Sequence, residues 1–340
     1  MTATARIREQ VLATDRLHLI LMPTEACNLR CTYCYEDFRM GRMPEDVVAG
    51  VERLIERRAS ALSYLDISWF GGEPLAASDT VIRIMAHARD VAAASAGLTV
   101  RSDMTTNAWY LTPTLFERLN DLGVVKYQVS FDGAAAVHDT RRVRKGGGPT
   151  FERLWGHLKA MKATDREFTV MLRLHVSADN LGSVAEFLEL VRLDLDGDRR
   201  FRIYPKLLAR WGGARDAALP VMSAAEGKVV VESLRERAAT AGIPLVPLDP
   251  ADTVCYAARS NAIVVRADGR LNKCTLALEA AENQVGRLRP DGRFDLDPAR
   301  LLPWMRGLES GKLGELACPK RGLVGIPTTA TITSPALETA

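Results

Sequence analysis

Long apolar runs and an excess of charge of one sign are missing from this sequence, and histidine is scarce. No apolar stretch reaches the roughly 18 residues of a membrane-spanning helix, and residues 1–15 lack the apolar segment of an export signal. The net charge is +3 with 26% charged residues, so no strong field favours nucleic acid or a membrane surface. The 5 histidines share no metal-ligand spacing. These absences favour a soluble cytoplasmic enzyme.

Cysteine is also rare, and its distribution is uneven. The 6 cysteines form two groups, with none between residues 35 and 254: Cys27, Cys31 and Cys34, then Cys255, Cys274 and Cys318. Such clustering favours two sets of metal ligands. The first group has the spacing C-x3-C-x2-C, and three thiolates can hold three corners of a cubane iron–sulfur cluster while the fourth iron stays open. A zinc site would need a further cysteine or histidine pair, and a disulfide framework is unexpected without a secretory signal.

Between the two cysteine groups, short apolar runs alternate with longer amphipathic stretches. The predicted strands are Arg16–Met22, Leu65–Phe70, Thr99–Thr105, Lys126–Phe131, Thr169–Val176 and Phe201–Tyr204. The predicted helices are Pro44–Ser60, Ser78–Ala94, Thr112–Leu122, Thr150–Lys162 and Ser183–Val191. Strands that alternate with helices in this way require a parallel sheet with right-handed crossovers. The sequence therefore predicts an α/β fold.

The pattern changes from about residue 222. A long predicted helix, Ser223–Gly242, leads into a Pro-rich link at Pro244–Asp249. The Asp268-Gly269 turn lies between two β-like runs, Asn261–Arg266 and Leu271–Cys274, which predicts a β-hairpin. We divide the chain into an N-terminal extension at residues 1–15, a first domain at 16–221, a second at 222–327 and a disordered tail at 328–340.

Unusual residues follow several predicted strands. They are the cysteine loop, Gly71-Gly72-Glu73-Pro74, Thr106-Asn107, and Ser130-Phe131-Asp132-Gly133 with Arg141 and Arg142 beyond it. The carboxyl ends of parallel strands are where α/β folds place their active sites. Paired glycines let the backbone approach a ligand closely, and an arginine can bind a carboxylate through two hydrogen bonds. Ordinary turn chemistry and a solvated basic face remain alternatives for these positions.

The cysteine run with Tyr33 before its last cysteine, followed in order by GGEP and SFDG, resembles the radical S-adenosylmethionine (SAM) superfamily. The resemblance implies a partial (β/α)6 barrel. It implies a [4Fe–4S] cluster held by Cys27, Cys31 and Cys34, whose open iron chelates SAM. One-electron reduction then releases a 5′-deoxyadenosyl radical that abstracts hydrogen.

The same resemblance assigns cofactor-binding residues. Tyr33 would lie beside the adenine, and Gly71, Gly72, Glu73 and Pro74 would hold the SAM ammonium group. The SAM carboxylate would be bound by Ser130 and Arg142, with Arg141 a close rival for the second role. Asn107 and Asp132, at the ends of the third and fourth strands, complete the predicted set.

The second cysteine group resembles the opening of a SPASM or twitch domain, which implies a small α+β domain that contains the predicted hairpin. Cys255, Gly269 and Cys274 match the opening of its motif, and Cys318 stands where the next run should begin. No cysteine follows Cys318. The chain would therefore hold at most one auxiliary [4Fe–4S] cluster with an open iron, or the domain is a cap with three unligated cysteines.

Radical SAM enzymes with such extensions largely modify peptides, so the resemblance implies hydrogen abstraction from a ribosomally made peptide, with formation of a crosslink or another modification. The alternative is a dehydrogenase or mutase that acts on a small molecule. An electron donor such as flavodoxin or ferredoxin is expected. Residues 1–15 leave no room for a peptide-recognition domain, so a separate protein would supply that recognition. No general acid or base stands out, although Tyr204, Lys206 and Arg210 could line the mouth of the site.

Overall fold

A computed structural model describes residues 11–247 and 254–323. The predicted tail at 328–340, most of the predicted extension at 1–15 and the end of the predicted link Pro244–Asp249 lie outside these residues. Within them, helices alternate with strands that pair in parallel, so the predicted α/β class is confirmed.

The strands are β1 Arg16–Leu21, β2 Leu29–Cys31, β3 Tyr64–Trp69, β4 Thr99–Thr106, β5 Val124–Phe131, β6 Arg142–Arg144, β7 Thr169–Val176, β8 Phe201–Leu207, β9 Ala262–Val265, β10 Arg270–Asn272, β11 Gln284–Leu288 and β12 Phe294–Leu296. The helices are α1 Glu45–Ala59, α2 Ser78–Ala94, α3 Pro113–Asp121, α4 Ala135–Arg141, α5 Phe151–Lys162, α6 Leu181–Leu195, α7 Ala224–Thr240, α8 Pro298–Leu301, α9 Arg306–Ser310 and α10 Leu313–Ala317. Of the helices in residues 11–247 and 254–323, none combines the length and apolarity needed to cross a bilayer.

Side-chain caps set the start of several helices. Thr112 accepts a hydrogen bond from the Leu115 N–H, and Pro113 occupies the first position of α3, where its missing N–H costs nothing. Ser223 and Glu226 form a reciprocal capping box at the start of α7. These local interactions satisfy backbone N–H groups that the first helical turn leaves without partners.

The described residues form two compact units, and the first comprises residues 11–26, 38–102 and 254–323. In this unit β1 pairs in parallel with both β3 and β9. Strands β9, β10, β11 and β12 then follow one another as antiparallel neighbours. The predicted hairpin is present, because β9 and β10 are antiparallel and Gly269 adopts φ +82° in the turn between them. Helices α1 and α2 pack against each other.

The second unit comprises residues 27–37 and 103–247. Strands β5, β7 and β8 are parallel neighbours, and β2 pairs with β6 as a separate antiparallel ribbon. Alternate residues along β5, β7 and β8 are fully buried, which is the pattern of strands with one face against helices. Phe131 from β5 stacks with Phe187 of α6 and meets Phe151 and Trp155 of α5 edge-on. This aromatic cluster forms the core of the unit.

A buried ion pair joins the segments that follow β1 and β9 in the first unit. These strands are parallel neighbours, so Glu25 and Arg266 follow strand ends that lie side by side. Arg266 donates to both carboxylate oxygens of Glu25, at 3.0 and 2.6 Å, and Nη1 donates to the Leu278 carbonyl at 2.8 Å. The two charged side chains are 1% and 3% exposed. Each buried charge therefore depends on its partner.

Replacing Arg266 with Met is expected to destabilise the chain by about 3–5 kcal/mol, because it leaves the Glu25 carboxylate buried without a counter-ion. Urea unfolding followed by circular dichroism would measure this as a lower midpoint. Arg83→Met is the control, since it breaks ion pairs with the exposed side chain of Glu45 and with Glu52, and Arg83 itself is 43% exposed. The control should lose less than about 1 kcal/mol. Equal losses in the two variants would contradict the role given to the buried pair.

Candidate metal centre

The loop that carries Cys27, Cys31 and Cys34 is anchored by backbone pairing within the second unit. Strand β2 ends at Cys31, which pairs with Arg142 at the start of β6. Thr32 N–H donates to the Arg141 carbonyl at 2.9 Å, just beyond the pair. The sequence pattern did not predict this ribbon, because its strands have only three residues each. The ribbon holds the cysteine loop beside the segment that contains the two arginines.

None of the three cysteines of this loop forms a disulfide, and all three are partly exposed. Burial of the sulfur raises the pKa of Cys31, an effect that the nearby Arg142 guanidinium opposes, and burial raises the pKa of Cys34 to about 12. The Cys27 sulfur accepts hydrogen bonds from the Leu29 N–H at 3.4 Å and from the Asn107 amide at 3.8 Å. Donors and a cation beside sulfur stabilise the thiolate that a metal requires.

This donor set fits an iron–sulfur cluster better than a single metal ion. In the described part of the chain, no three side chains of His, Cys, Asp or Glu converge as ligands of one ion. A cluster binds each thiolate at a different iron, so its ligands need not meet at one point. Cys27, Cys31 and Cys34 lie on one loop without disulfides, and the Cys27 sulfur accepts a hydrogen bond. The residues present therefore suit a cluster with three protein ligands.

Tyr33 makes a buried hydrogen-bond network at the ends of β5 and β7. Its hydroxyl donates to Asp132 Oδ2 at 2.7 Å and accepts from Arg142 Nη1 at 2.7 Å. His175 Nδ1 lies 3.0 Å from the same hydroxyl, and the two rings meet edge to face. Burial raises the pKa of Tyr33 well above its usual value and lowers that of His175 well below its own, so both are neutral at pH 7. The network fixes the orientation of the tyrosine ring.

The structure brings Asn107 to the cysteine loop and leaves Ser130 on a strand. Asn107 Nδ2 donates to Asn28 Oδ1 at 2.9 Å, while its own Oδ1 accepts from the Trp109 N–H at 2.9 Å. Ser130, near the end of β5, pairs in register with Arg173 of β7. Asp132 is fully buried, with Oδ1 within 4.0 Å of Arg141. Each of these predicted residues therefore lies at or beside the carboxyl ends of the strands.

The GGEP turn belongs to the first unit, where it packs closely on the backbone that follows β1. Gly71 adopts φ +118°, and a Cβ on Gly72 would lie 2.5 Å from the Glu25 and Ala26 carbonyl oxygens. Glu73 is fully buried, and its Oε1 accepts from the Leu75 N–H at 2.9 Å. Pro74 begins the short helical turn Pro74–Ala77. The two glycines are therefore required by a close approach of two backbone segments.

The second cysteine group also lies in the first unit, and its three sulfurs are free. Burial raises the pKa of Cys255 to about 12, and the nearby thiols of Cys274 and Cys318 add to that rise. Cys255 N–H donates to the Leu316 carbonyl at 2.9 Å, which brings it to the segment before Cys318. Asn283 Oδ1 accepts from the Cys274 N–H at 2.9 Å and so fixes the backbone at Cys274. The fold thus brings Cys255 to the segment that precedes Cys318, 63 positions later in the sequence.

Sequence reasoning did not assign a partner to His175 or a role to Asn28. His175 follows Arg173 by two residues on β7 and so shares its face, which was the available signal. Asn28 sits between two cysteine-loop residues, and no periodic pattern marks it. The contacts of His175 with Tyr33 and of Asn28 with Asn107 join residues that are distant along the chain, so local spacing could not predict them.

The profile described as the Radical SAM superfamily matches residues 21–191. This range is just over half of the 340 residues, and the chain therefore belongs to the radical SAM superfamily. Enzymes of this superfamily use a [4Fe–4S] cluster and SAM. The predicted enzyme class and these two cofactors are confirmed.

Curated proteins with related sequences include enzymes and a maturation protein. A GTP 3′,8-cyclase of Mycobacterium sp. (strain KMS) is 26% identical over 303 residues, which cover 84% of this chain and 81% of that protein. A GTP 3′,8-cyclase of Mycolicibacterium smegmatis is 28% identical over 189 residues, or 54% of this chain and 48% of that protein. The sporulation killing factor maturation protein SkfB of Bacillus subtilis is 26% identical over 170 residues, or 50% and 38%. The match therefore spans less than half of the last two relatives.

Solved structures with a similar fold confirm the predicted radical SAM architecture. The structure of anSMEcpe with bound AdoMet and Kp18Cys peptide has a TM-score of 0.64 and 16% identity, covering 84% of this chain and 80% of that chain. Streptococcus suis SuiB bound to precursor peptide SuiA has a TM-score of 0.62 and 12% identity, covering 90% of this chain and 69% of that chain. At such identities the likeness concerns the fold alone.

Replacing Asn107 with Ala is expected to speed the loss of iron to a chelator about tenfold, because groups that hydrogen-bond metal ligands typically change metal affinity by that amount or more. The variant loses the donors to Cys27 Sγ and Asn28. Asn120→Ala is the control, since Asn120 donates to the exposed Glu167 carbonyl. The reconstituted proteins are compared by absorbance near 400 nm. Iron loss at the wild-type rate in the Asn107 variant would argue against its role beside the cluster.

Proposed function

We propose that this radical SAM enzyme abstracts hydrogen from a ribosomally made peptide and so introduces a crosslink or another side-chain or backbone modification. The observation that carries the proposal is the loop of three cysteines without disulfides, Cys27, Cys31 and Cys34, with hydrogen-bond donors beside Cys27 and Arg142 near Cys31. The peptide substrate is supported by SkfB, whose name is that of a maturation protein, and by the fold shared with peptide-bound anSMEcpe and SuiB.

The three cysteines would hold the cluster, with the fourth iron left for SAM. When bound, the cluster and SAM supply a 5′-deoxyadenosyl radical through one-electron reduction. Ser130 and Arg142 would hold the SAM carboxylate, and Arg142 Nε is a buried donor that has no hydrogen-bond partner among the described residues. The network with Asp132 would keep the Tyr33 ring oriented beside the adenine.

The proposal keeps the GGEP turn as the site of the SAM ammonium group. Its glycines allow the turn to pack on the Glu25 and Ala26 carbonyls, and the Glu73 carboxylate accepts the Leu75 N–H and so holds the turn itself. Asn107 would support the cysteine loop through Cys27 and Asn28. Water must be kept from the radical, and a buried strand edge is suited to that task.

The partners follow from the chemistry. A one-electron donor such as flavodoxin or ferredoxin would reduce the cluster, and a separate protein could present the peptide.

The second candidate function is a reaction on a small molecule. It is favoured by the similarity to a GTP 3′,8-cyclase over 81% of that protein's length and by the three-cysteine set near the C-terminus.

The anaerobic, reconstituted and reduced chain is expected to form 5′-deoxyadenosine from SAM and to change the mass of a precursor peptide encoded beside its gene. Cys31→Ser should abolish both products, because it removes one of three cluster ligands. Mass spectrometry and chromatography measure the two outcomes. An unchanged peptide, together with 5′-deoxyadenosine formed only when a small metabolite is supplied, would favour the second candidate. Absence of 5′-deoxyadenosine in every incubation would contradict both.

We also propose that Cys255, Cys274 and Cys318 hold one auxiliary [4Fe–4S] cluster. Support comes from the Cys255 N–H, which donates to the Leu316 carbonyl beside Cys318, and from Cys274 and Cys318, which both raise the pKa of Cys255. The Lys273 ammonium lies in the same region and donates to the Arg259 and Ala262 carbonyls, each at 2.6 Å, which holds the turn before β9. The alternative is a cap in which the three cysteines are buried and unligated.

Iron and sulfide counting on a variant with Cys27→Ala, Cys31→Ala and Cys34→Ala separates these alternatives. About four iron ions per chain should remain if the auxiliary cluster is present, because a cubane contains four. A matched variant with Cys255→Ala, Cys274→Ala and Cys318→Ala should keep the same number in the N-terminal site. Iron close to zero in the first variant, with normal folding by circular dichroism, would mean a cap without a cluster.

A further inference from the structure

One face of the three-stranded sheet in the second unit is polar and partly exposed. Along β5, β7 and β8, buried residues alternate with partly exposed ones, and the partly exposed residues form this face. Ser130 pairs in register with Arg173, and Arg173 pairs with Tyr204. His175 and Lys206 form the next pair toward the carboxyl ends. Because residues two apart on a strand share a face, Arg173 and Lys206 lie on the same surface of neighbouring strands.

Arg173 has no counter-ion in the described part of the chain. Its guanidinium makes no hydrogen bond or ion pair there, and its Nε is buried without a partner. The carboxylate whose charge it faces is Asp132, which already accepts from Tyr33 and lies 3.9 Å from Arg142. A buried donor without a partner costs free energy that a bound acceptor would recover.

Lys206 is a second cation without a counter-ion among residues 11–247 and 254–323. Its ammonium lies 5.9 Å from the centroid of the Tyr204 ring. By contrast, Arg141 has a partner, because its Nη2 donates to Asp179 at 2.6 Å. His175 is neutral, since burial and the surrounding cations lower its pKa well below the usual value. The polar face therefore carries positive charge that the second unit does not balance.

We propose that Arg173 and Lys206 bind an oxyanion, a carboxylate or phosphate group, of the molecule that the enzyme modifies. This inference rests on the proposed function and extends it to the substrate. A guanidinium binds two oxyanion oxygens through parallel hydrogen bonds, and an ammonium adds a point charge. The Tyr204 hydroxyl, in register beside Arg173, supplies a further donor. On a peptide substrate the group is an acidic side chain or the C-terminal carboxylate.

The carboxylate of SAM is the other oxyanion that a radical SAM enzyme binds. The proposed function assigns the SAM carboxylate to Ser130 and Arg142. Ser130 on β5 is paired directly with Arg173 on the adjacent strand β7. An experiment on Arg173 must therefore measure SAM and a substrate-like anion separately.

The full-length reconstituted chain, saturated with SAM under anaerobic conditions at low salt, is titrated calorimetrically with glutarate and with inorganic phosphate. Glutarate represents a carboxylate and inorganic phosphate a phosphate group. The wild type should bind at least one probe, and Arg173→Gln and Lys206→Gln should each weaken that binding about tenfold, because each removes charge-assisted hydrogen bonds. Which probe responds identifies the class of substrate.

Arg202→Gln is the matched control, because Arg202 lies on the same face of β8 as Lys206 and carries the same charge. Among the described residues it donates to the Arg199 carbonyl alone. It should change binding of either probe by less than about twofold. The affinity for SAM, titrated separately, should be unchanged in all three variants. Arg173→Lys replaces Arg173→Gln if the latter does not fold, and it should retain part of the affinity.

Equal binding of both probes to the Arg173 and Arg202 variants would overturn the proposal. A tenfold loss of SAM affinity in the Arg173 variant, with no loss of affinity for either probe, would overturn the proposal as well. It would identify Arg173 as a SAM-binding residue. Failure of the proposed function is recognised separately, because the mass of the precursor peptide would then stay unchanged whatever the calorimetric result.

Discussion

The hydroxyl of Tyr33 connects the cysteine loop to the sheet of the second unit, and the order of the site depends on that connection. It donates to Asp132 beyond β5, accepts from Arg142 beside β6 and meets His175 on β7. Because Asp132 and Arg142 are both buried, each needs the other and the phenol between them to offset the loss of water. Loop, strand ends and arginine are thereby held in one arrangement that a ligand does not have to create.

The parts of the fold that repeat were predictable from the sequence. Regular alternation of apolar runs and amphipathic stretches marked β1, β3, β4, β5, β7 and β8, and the Asp268-Gly269 turn marked the hairpin of β9 and β10. The ends of some elements moved, because β8 continues to Leu207 and α6 runs from Leu181 to Leu195. Strands β11 and β12 were missed, since β12 is short and mostly exposed, and the buried residues of β11, Val285 and Leu288, are three apart and so do not alternate.

The candidate site was predictable only as a set of residues. Spacing and resemblance indicated Cys27, Cys31 and Cys34, and the strand ends indicated Asn107 and Asp132. What these side chains touch could not be predicted, because Tyr33 and Asp132 are 99 positions apart and Tyr33 and His175 are 142 apart. Hydrogen bonds of that range depend on which strands become neighbours. That Arg173 lacks a hydrogen-bond partner at Nε could not be predicted either, because it depends on which side chains the fold places around it.

The raised pKa of Cys31 and Cys34 affects how the loop binds iron. With the Cys34 pKa at about 12, the sulfur is almost entirely protonated at neutral pH. The thiolate, and not the thiol, is the nucleophile that attacks disulfides and oxidants, so the protonated sulfurs react slowly with both. Each iron that arrives must displace a proton from sulfur, and assembly therefore acidifies its surroundings and becomes more favourable in alkaline solution. The same burial that keeps these thiols protonated thus ties assembly of the cluster to pH.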